Sequence, residues 1–262
     1  MMCKMNPDIV TVSSHASGLV WITVQRPEKH NALARNVLTA LAEAVQTFGA
    51  DPKTRCILLR GAGDLYFAAG GDLLELSRVR TEVQIDAMAD GAVQALDAVR
   101  NCPIPVIAYV NGDAIGGGAE LAVACDMRLM APHARIGFIQ GRLGLTSTWG
   151  GGPDLCELVG PARAMRMMAR CEMVNSQLAL DWGLAELEVK DGPEGEDLAG
   201  FLKPILACTR EVLCGIKAQT AAFRRGLPQT ERRSIERRNI QITWASDAHW
   251  AAIDRFLAKQ KI

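Results

Sequence analysis

One stretch near the middle of the chain constrains the fold more than any other, because an apolar run, a cluster of glycines and an alanine-rich run follow one another directly. The run Pro105–Val110 is rich in β-branched residues and predicts a buried strand, and Ala119–Cys125 predicts a helix. Gly116, Gly117 and Gly118 therefore stand where a strand passes into a helix N-terminus. Such a place offers unpaired N–H groups at the positive end of the helix dipole, and glycine lets a ligand approach the backbone closely.

A carboxylate lies beside this glycine cluster. Glu120 follows Gly117 by three residues, which places both on the same side of the first helical turn. One short element can thus present an N–H donor for an oxyanion and an acid/base group next to it. A tight turn followed by a dipole-favoured glutamate gives the same pattern, so the cluster alone leaves a purely structural role open. The spacing matches neither a dinucleotide fingerprint nor a phosphate-binding loop.

The order of the predicted elements favours an α/β fold with crossover helices. An N-terminal hairpin is followed by alternating helices and strands, and the chain becomes mostly helical after Gly150. Three helices are predicted from about Leu198 to the C-terminus. The segment Gly192–Gly195 is the best boundary candidate, so residues 1–192 are predicted to form the core and residues 193–262 a C-terminal helical region.

Composition excludes several classes of partner. Lys+Arg and Asp+Glu both number 29, and this zero formal charge favours neither nucleic acid nor a membrane surface. The N-terminus lacks an apolar signal core, so a soluble, cytoplasmic protein is expected. None of the eight cysteines forms a Cys-x-x-Cys pair and no histidine has metal-ligand spacing, so no metal site is expected.

A second glycine turn repeats the pattern of the first. Ala69, Gly70, Gly71 and Asp72 lie between a predicted strand and a short helix that starts at Leu73, so N–H groups are again exposed at a helix N-terminus. Two such donors form an oxyanion hole if they converge on one point, which spacing along the chain does not establish.

Three segments of the chain carry a recognisable combination: Gln25–Leu33, Phe67–Asp72 and Asn111–Leu121. In this order and spacing they resemble the enoyl-CoA hydratase/isomerase (crotonase) superfamily, and three ordered motifs are far more specific than one. The resemblance implies a spiral of ββα repeats whose C-terminal helices form a homotrimer, often as a dimer of trimers. It also implies a CoA thioester as substrate, with no cofactor beyond that coenzyme A.

The same resemblance implies roles for individual residues. The thioester oxygen would lie between the N–H groups of Gly71 and Gly117, and Glu120 matches the first of the two carboxylates of typical hydratases. Six residues would line the coenzyme A groove: Lys29, His30, Ala32, Ala69, Asp72 and Leu73. For Lys29 a solvated surface position, and for His30 a cap on its loop, are open alternatives.

The chain departs from the family pattern at the second carboxylate. Gln140 stands at the matching position, and glutamine neither takes nor gives a proton at neutral pH. Thr146–Gly152 replaces the usual segment that follows, and Trp149 within it resembles the branch that includes methylmalonyl- and ethylmalonyl-CoA decarboxylases. A buried ring that packs the helix start or the trimer explains Trp149 equally well.

These observations define the expected function. The chain is expected to be an acyl-CoA-processing enzyme that holds a thioester enolate, with lyase-type chemistry that is decarboxylase-like or hydratase-like with a single acid. An ordinary enoyl-CoA hydratase or isomerase is the alternative within the family. A non-catalytic acyl-CoA-binding homologue is the alternative from another class, and the presence of Glu120 with both glycine turns argues against it.

Overall fold

The computed structural model describes residues 9–259, which form two β-sheets surrounded by helices. The strands are β1 (Val10–Ser14), β2 (Leu19–Val24), β3 (Cys56–Gly61), β4 (Tyr66–Ala68), β5 (Val106–Val110), β6 (Asp113–Ile115), β7 (Met127–Met130), β8 (Arg135–Gly137), β9 (Met173–Asn175) and β10 (Leu187–Glu188). The helices are α1 (Arg35–Ala50), α2 (Leu73–Leu76), α3 (Glu82–Arg100), α4 (Gly117–Ala124), α5 (Gly151–Val159), α6 (Pro161–Ala169), α7 (Ser176–Trp182), α8 (Glu196–Ala207), α9 (Arg210–Arg224), α10 (Gln229–Trp244) and α11 (Asp247–Lys259). The predicted α/β class is confirmed.

The strands alternate between the two sheets. The larger sheet has the order β1-β2-β3-β5-β7-β10, and the smaller has the order β4-β6-β8-β9. The hairpin β1–β2 is antiparallel, whereas β2, β3, β5, β7 and β10 pair in parallel. Consecutive strands are shared between the sheets: β3, β5 and β7 lie in the larger sheet, and β4, β6 and β8, which follow them, lie in the smaller one. After each such pair of strands the chain enters a helix. This is the ββα repeat that the family resemblance implies.

Apart from the strand before Ala69, the smaller sheet is not predicted from the sequence. Its four strands have three residues each, which is too short to show a period of two. One of them, Asp113–Ile115, lies inside the glycine-containing stretch and leads directly into α4. Helix α4 begins at Gly117 rather than at the predicted Ala119, so Gly117 is the first helical residue and its N–H belongs to the unpaired first turn.

The hydrophobic core lies between the larger sheet and helices α1, α3 and α4. Every residue of α4 is buried, which explains why its sequence is apolar all round rather than on one face. A second cluster covers the opposite face of the larger sheet, where Leu198 and Leu202 of α8 pack with Trp21 and Tyr109. The rings of Trp21 and Tyr109 meet edge to face, with centroids 6.3 Å apart.

The C-terminal region has four helices within the described residues, α8 to α11, rather than the predicted three. Helix α9 is attached to the core by buried cations: Lys217 is 4% exposed and its Nζ lies 2.7 Å from Asp126 Oδ2. Arg224 bonds to Asp154 and to the carbonyl oxygens of Val123 and Ala124. Helices α10 and α11 follow on from α9, and the division at residue 192 stays a prediction.

Two features of residues 9–259 bear on function. No described helix combines the length and apolar character needed to cross a membrane. The same residues contain no group of three or more His, Cys, Asp or Glu arranged to hold a metal ion.

Candidate active site

The first glycine turn joins β6 to α4 at a point where side chains do not fit. Gly116 has φ +55°, and its N–H donates to the Gly137 carbonyl at 2.9 Å. A methyl group on Gly118 would lie 2.0 Å from the Ala68 carbonyl oxygen, so the start of α4 packs directly on the backbone of β4. The glycines therefore bring the N-terminus of α4 against the second glycine turn.

The second turn, between β4 and α2, lies beside the first. Gly70 has φ +94°, and a methyl group there would be 3.2 Å from the Gly117 nitrogen. The Leu33 N–H donates to the Gly70 carbonyl at 2.7 Å, which joins this turn to the loop before α1. Outside the bonds internal to helices and strands, no backbone hydrogen bond of residues 9–259 has the N–H of Gly71 or Gly117 as donor.

The indole ring of Trp149 lies against both turns. A methyl group on Gly117 would be 2.1 Å from Trp149 Cζ3, and one on Gly71 would be 3.6 Å from Trp149 Cζ2. Leu76 also packs on Gly71, with its Cδ1 2.6 Å from the same methyl position. The residues predicted to hold the thioester oxygen are thus brought together, and apolar side chains flank them.

Glu120 is buried under this arrangement, with 2% of its surface exposed. Its Oε2 accepts the N–H groups of Trp149 and Gly151, both at 2.9 Å. Its Oε1 accepts the Gln140 amide at 3.0 Å and the Thr148 N–H at 3.5 Å. Burial raises the pKa of the Glu120 carboxyl above its ordinary 4.5, against these hydrogen bonds, which favour the ionised form.

Gln140 begins a 3₁₀ turn, Gln140–Leu143, and is half-buried. Its side chain reaches Glu120, so the structure brings together the two positions that the resemblance pairs. The pair consists of one carboxylate and one amide, and the amide acts as a hydrogen-bond donor to the carboxylate.

The six residues expected to line the coenzyme A groove lie on two loops that are bonded to each other. The Ala69 N–H donates to the His30 carbonyl at 3.0 Å, and Arg26 donates to the Ala32 carbonyl at 2.8 Å. Lys29, His30 and Leu73 are exposed. His30 has φ +53° and caps the 3₁₀ turn before it, which is the alternative role that the sequence leaves open. Its ring also stacks on Tyr66, with centroids 4.4 Å apart.

Asp72 has a clear structural role. Its carboxylate caps α2 by accepting the N–H groups of Leu74 and Glu75, and it pairs with Arg26 at 3.1 Å. Burial acts to raise the pKa of Asp72, but the Arg26 hydrogen bond and the helix N–H groups outweigh it, so the net pKa is lowered.

A cleft of about 640 Å³ opens beside the two turns, between α1, α2 and α3. Its lining includes Leu33, Asp72, Leu76 and Trp149, whereas Gly71, Gly117, Glu120 and Gln140 do not line it. Its size and its place beside the two turns make it the candidate acyl cleft.

Sequence reasoning misses several residues that shape this site. Arg100 donates to the Trp149 carbonyl at 2.9 Å across 49 positions of sequence, and Arg26 connects the two groove loops across 46 positions to Asp72. Leu76 looks like any apolar helix residue. No local signal marks such contacts, because they exist only once the elements pack.

The chain is similar to known proteins in sequence and in fold. The enoyl-CoA hydratase/isomerase family model matches residues 14–262. The chain is 33% identical over 188 residues to the crotonyl-CoA hydratase of Syntrophomonas wolfei, covering 70% of this chain and 71% of that relative. It is 27% identical over 247 residues to the human ethylmalonyl-CoA decarboxylase, covering 93% of this chain and 80% of the relative.

The fold comparison gives the same family. The crystal structure of an enoyl-CoA hydratase from Bacillus anthracis superposes with a TM-score of 0.88 at 25% identity, covering 95% of this chain and 96% of the other. For some further relatives the matched part is between 52% and 66% of the relative's own length. The family model, the hydratase relative and the shared fold agree, and the chain belongs to the enoyl-CoA hydratase/isomerase (crotonase) superfamily, whose members process acyl-CoA thioesters.

Proposed function

We propose that this chain releases carbon dioxide from a malonyl-type CoA thioester through an enolate held by the N–H groups of Gly71 and Gly117. The bond between the α-carbon and the carboxylate carbon breaks, its electron pair forms the enolate, and carbon dioxide leaves. A proton from water or a weak donor then returns to the α-carbon. Two N–H donors at helix N-termini would stabilise the charge that develops on the thioester oxygen.

The bonding of Glu120 carries this proposal. Its carboxylate already accepts four hydrogen bonds, and the partner position holds the neutral Gln140. Decarboxylation needs no second carboxylate, and a neutral residue there avoids repulsion of a substrate carboxylate. Leu76 and Trp149 supply apolar surroundings next to the two turns, which disfavour a charged carboxylate relative to neutral carbon dioxide.

Hydration of an enoyl-CoA by Glu120 alone is the second candidate. The raised pKa of this carboxyl supports it, because a higher pKa makes the protonated form more available as a donor to the α-carbon. The similarity to crotonyl-CoA hydratase supports it as well.

The two reactions are separated by matched variants. The parent protein, Glu120→Gln and Gln140→Glu are incubated with ethylmalonyl-CoA and with crotonyl-CoA, and the products are followed by mass. Decarboxylation predicts that Glu120→Gln keeps most activity and that Gln140→Glu loses activity. Hydration predicts a loss of roughly 10²–10⁴-fold in Glu120→Gln and a gain in Gln140→Glu.

Glu120→Ala is the control for the structural contribution of this side chain. A glutamine at position 120 can keep the bonds from the Trp149 and Gly151 N–H groups through its amide oxygen. Its new NH₂ group can donate to the Gln140 amide oxygen once the Gln140 amide has rotated, whereas alanine keeps none of these bonds. Brisk hydration of crotonyl-CoA by the parent would overturn the decarboxylase proposal. Binding of both esters without any turnover would indicate the non-catalytic alternative.

We also propose that the active form is a homotrimer or a dimer of trimers joined through the C-terminal helices. The support is the run of large apolar side chains that α10 and α11 leave exposed.

A further inference from the structure

The placement of Trp149 separates the acyl cleft from the carboxylate. Trp149 lines the cleft, whereas the two oxyanion-hole glycines, Glu120 and Gln140 do not. The ring is 6% exposed and lies over Gly117, the first residue of the helix that carries Glu120. An acyl group in the cleft therefore faces the indole ring rather than the acid.

The main chain of Trp149 is held from both sides. Its N–H donates to Glu120 Oε2 and its carbonyl accepts from Arg100 Nη2, both at 2.9 Å. Arg100 is in turn bonded to Asp97 at 2.8 Å and to Asp154 at 3.0 Å. Gly150 next to it has φ +86°, and a methyl group there would lie 2.8 Å from the Arg100 guanidinium. These bonds hold the Trp149 backbone, and the packing of the ring on Gly117 and Gly71 holds its side chain.

We propose that Trp149 determines the reaction specificity of the site, because its indole ring separates the bound acyl group from Glu120, from Gln140 and from any water that Glu120 could activate. This inference rests on the proposed function, in which the enolate forms by loss of carbon dioxide. Hydration would require a water molecule between Glu120 and the β-carbon. One O–H bond of this water and the carbon–carbon double bond would break, the hydroxyl would bond to the β-carbon, and a proton would pass to the α-carbon. The ring fills the space where a Cβ on Gly117 would lie, and the proposal places the path of such a water there.

The proposal predicts opposite changes in two activities. Trp149→Ala would open the path from Glu120 to the cleft, so hydration of crotonyl-CoA should rise by roughly 10²-fold, the lower end of what one positioned acid/base residue contributes. Decarboxylation of ethylmalonyl-CoA should fall, because water reaches the substrate carboxylate and stabilises its charged form. Adding Gln140→Glu to Trp149→Ala should raise hydration further, since a second acid then faces the opened space.

Matched variants keep the experiment decisive. Trp149→Leu retains an apolar side chain and should raise the ratio of hydration to decarboxylation by less than Trp149→Ala does. If Trp149→Ala does not fold, Trp149→Leu takes its place. Trp21→Phe is the control, because Trp21 is equally buried but lies on the opposite face of the larger sheet, and the ratio should not change. Thermal unfolding followed by circular dichroism verifies that each variant is folded.

The outcomes separate this inference from the proposed function. A parent protein that releases no carbon dioxide from ethylmalonyl-CoA contradicts the proposed function, while the crotonyl-CoA arm still decides the role of Trp149. Folded Trp149→Ala and Trp149→Leu variants with no gain in hydration would overturn the inference. A parent that hydrates crotonyl-CoA as fast as Trp149→Ala does would overturn it too.

Discussion

At the scale of single residues, the site is organised by what Glu120 touches. A buried carboxylate is costly unless its oxygens are bonded, and here backbone N–H groups from the turn before α5 supply most of the partners. A methyl group on Gly151 would lie 2.5 Å from Glu120 Cγ, so the turn approaches this side chain as closely as the chain allows. Glu120 thus connects α4 to the turn that carries Trp149, whatever proton chemistry it performs.

The raised pKa of Glu120 predicts a pH dependence of stability. The unfolded carboxyl titrates near its ordinary 4.5, and burial moves the pKa of the folded form higher. Between these values the folded state binds the proton more tightly, so the free energy of unfolding falls as the pH rises, by at most about 1.4 kcal/mol per pH unit. Glu120→Gln has no titrating group at this position, so its stability lacks this pH dependence. The difference in unfolding free energy, Glu120→Gln minus parent, should therefore grow from pH 4.5 towards neutrality.

Urea unfolding at several pH values measures this difference, and groups common to both proteins cancel. A difference that stays constant over the whole range, or that falls with pH, would show that burial does not control this carboxyl.

At the scale of elements, α9 is attached to the spiral core by charged side chains rather than by an apolar seam alone. Lys217 reaches Asp126, whose carboxylate also accepts the Val106 N–H at the start of β5. Arg210 donates to the carbonyl oxygens of Gly49 and Thr54 near the end of α1. These bonds therefore attach helix α9 to the core at two separate places, at Asp126 and near the end of α1.

Removing the Lys217 cation should weaken this attachment strongly. Lys217→Met leaves Asp126 with its backbone bond but without its counter-ion, and breaking a buried pair in this way costs about 3 kcal/mol. Urea unfolding measures the loss. Lys203→Met, at an exposed position of α8, is the matched control and should change stability little. Equal stability of the two variants would contradict the anchoring role.

At the scale of the whole molecule, the C-terminal end presents an unpartnered apolar surface. The side chains concerned lie on α10 and α11 and are Ile240, Ile242, Trp244, Trp250, Ile253, Phe256 and Leu257. Three rings cluster at the turn between these helices, with His249 4.7 Å from Trp244 and 5.1 Å from Trp250. Surfaces of this kind are typical of protein–protein contacts.

Light scattering at micromolar concentration should therefore give a mass about three or six times the chain mass of 28.3 kDa. The double variant Trp250→Glu with Phe256→Glu should shift the protein towards the monomer, because charges would be placed in the apolar contact. Arg255→Glu on the same helix changes charge without removing an apolar group and should keep the parent mass. A monomeric parent protein would rule out the proposed assembly.

The sequence by itself determined the parts of this protein that depend on neighbours along the chain. The strand, glycine turn and helix around Gly117 form because β-branched, flexible and helix-favouring residues follow one another, and the motif order identified the family. The smaller sheet was not predictable, since each of its strands is only three residues long and is stabilised by pairing with distant strands.

Only the tertiary structure decided how the candidate site is arranged. That Gln140 bonds to Glu120, that Trp149 packs on Gly71 and Gly117, and that Arg100 holds the Trp149 backbone are contacts between residues 20 to 78 positions apart. Local propensity acts over a few residues, whereas these contacts depend on how the repeats pack on each other. The sequence therefore named the chemical groups, and packing decided which of them face the acyl cleft.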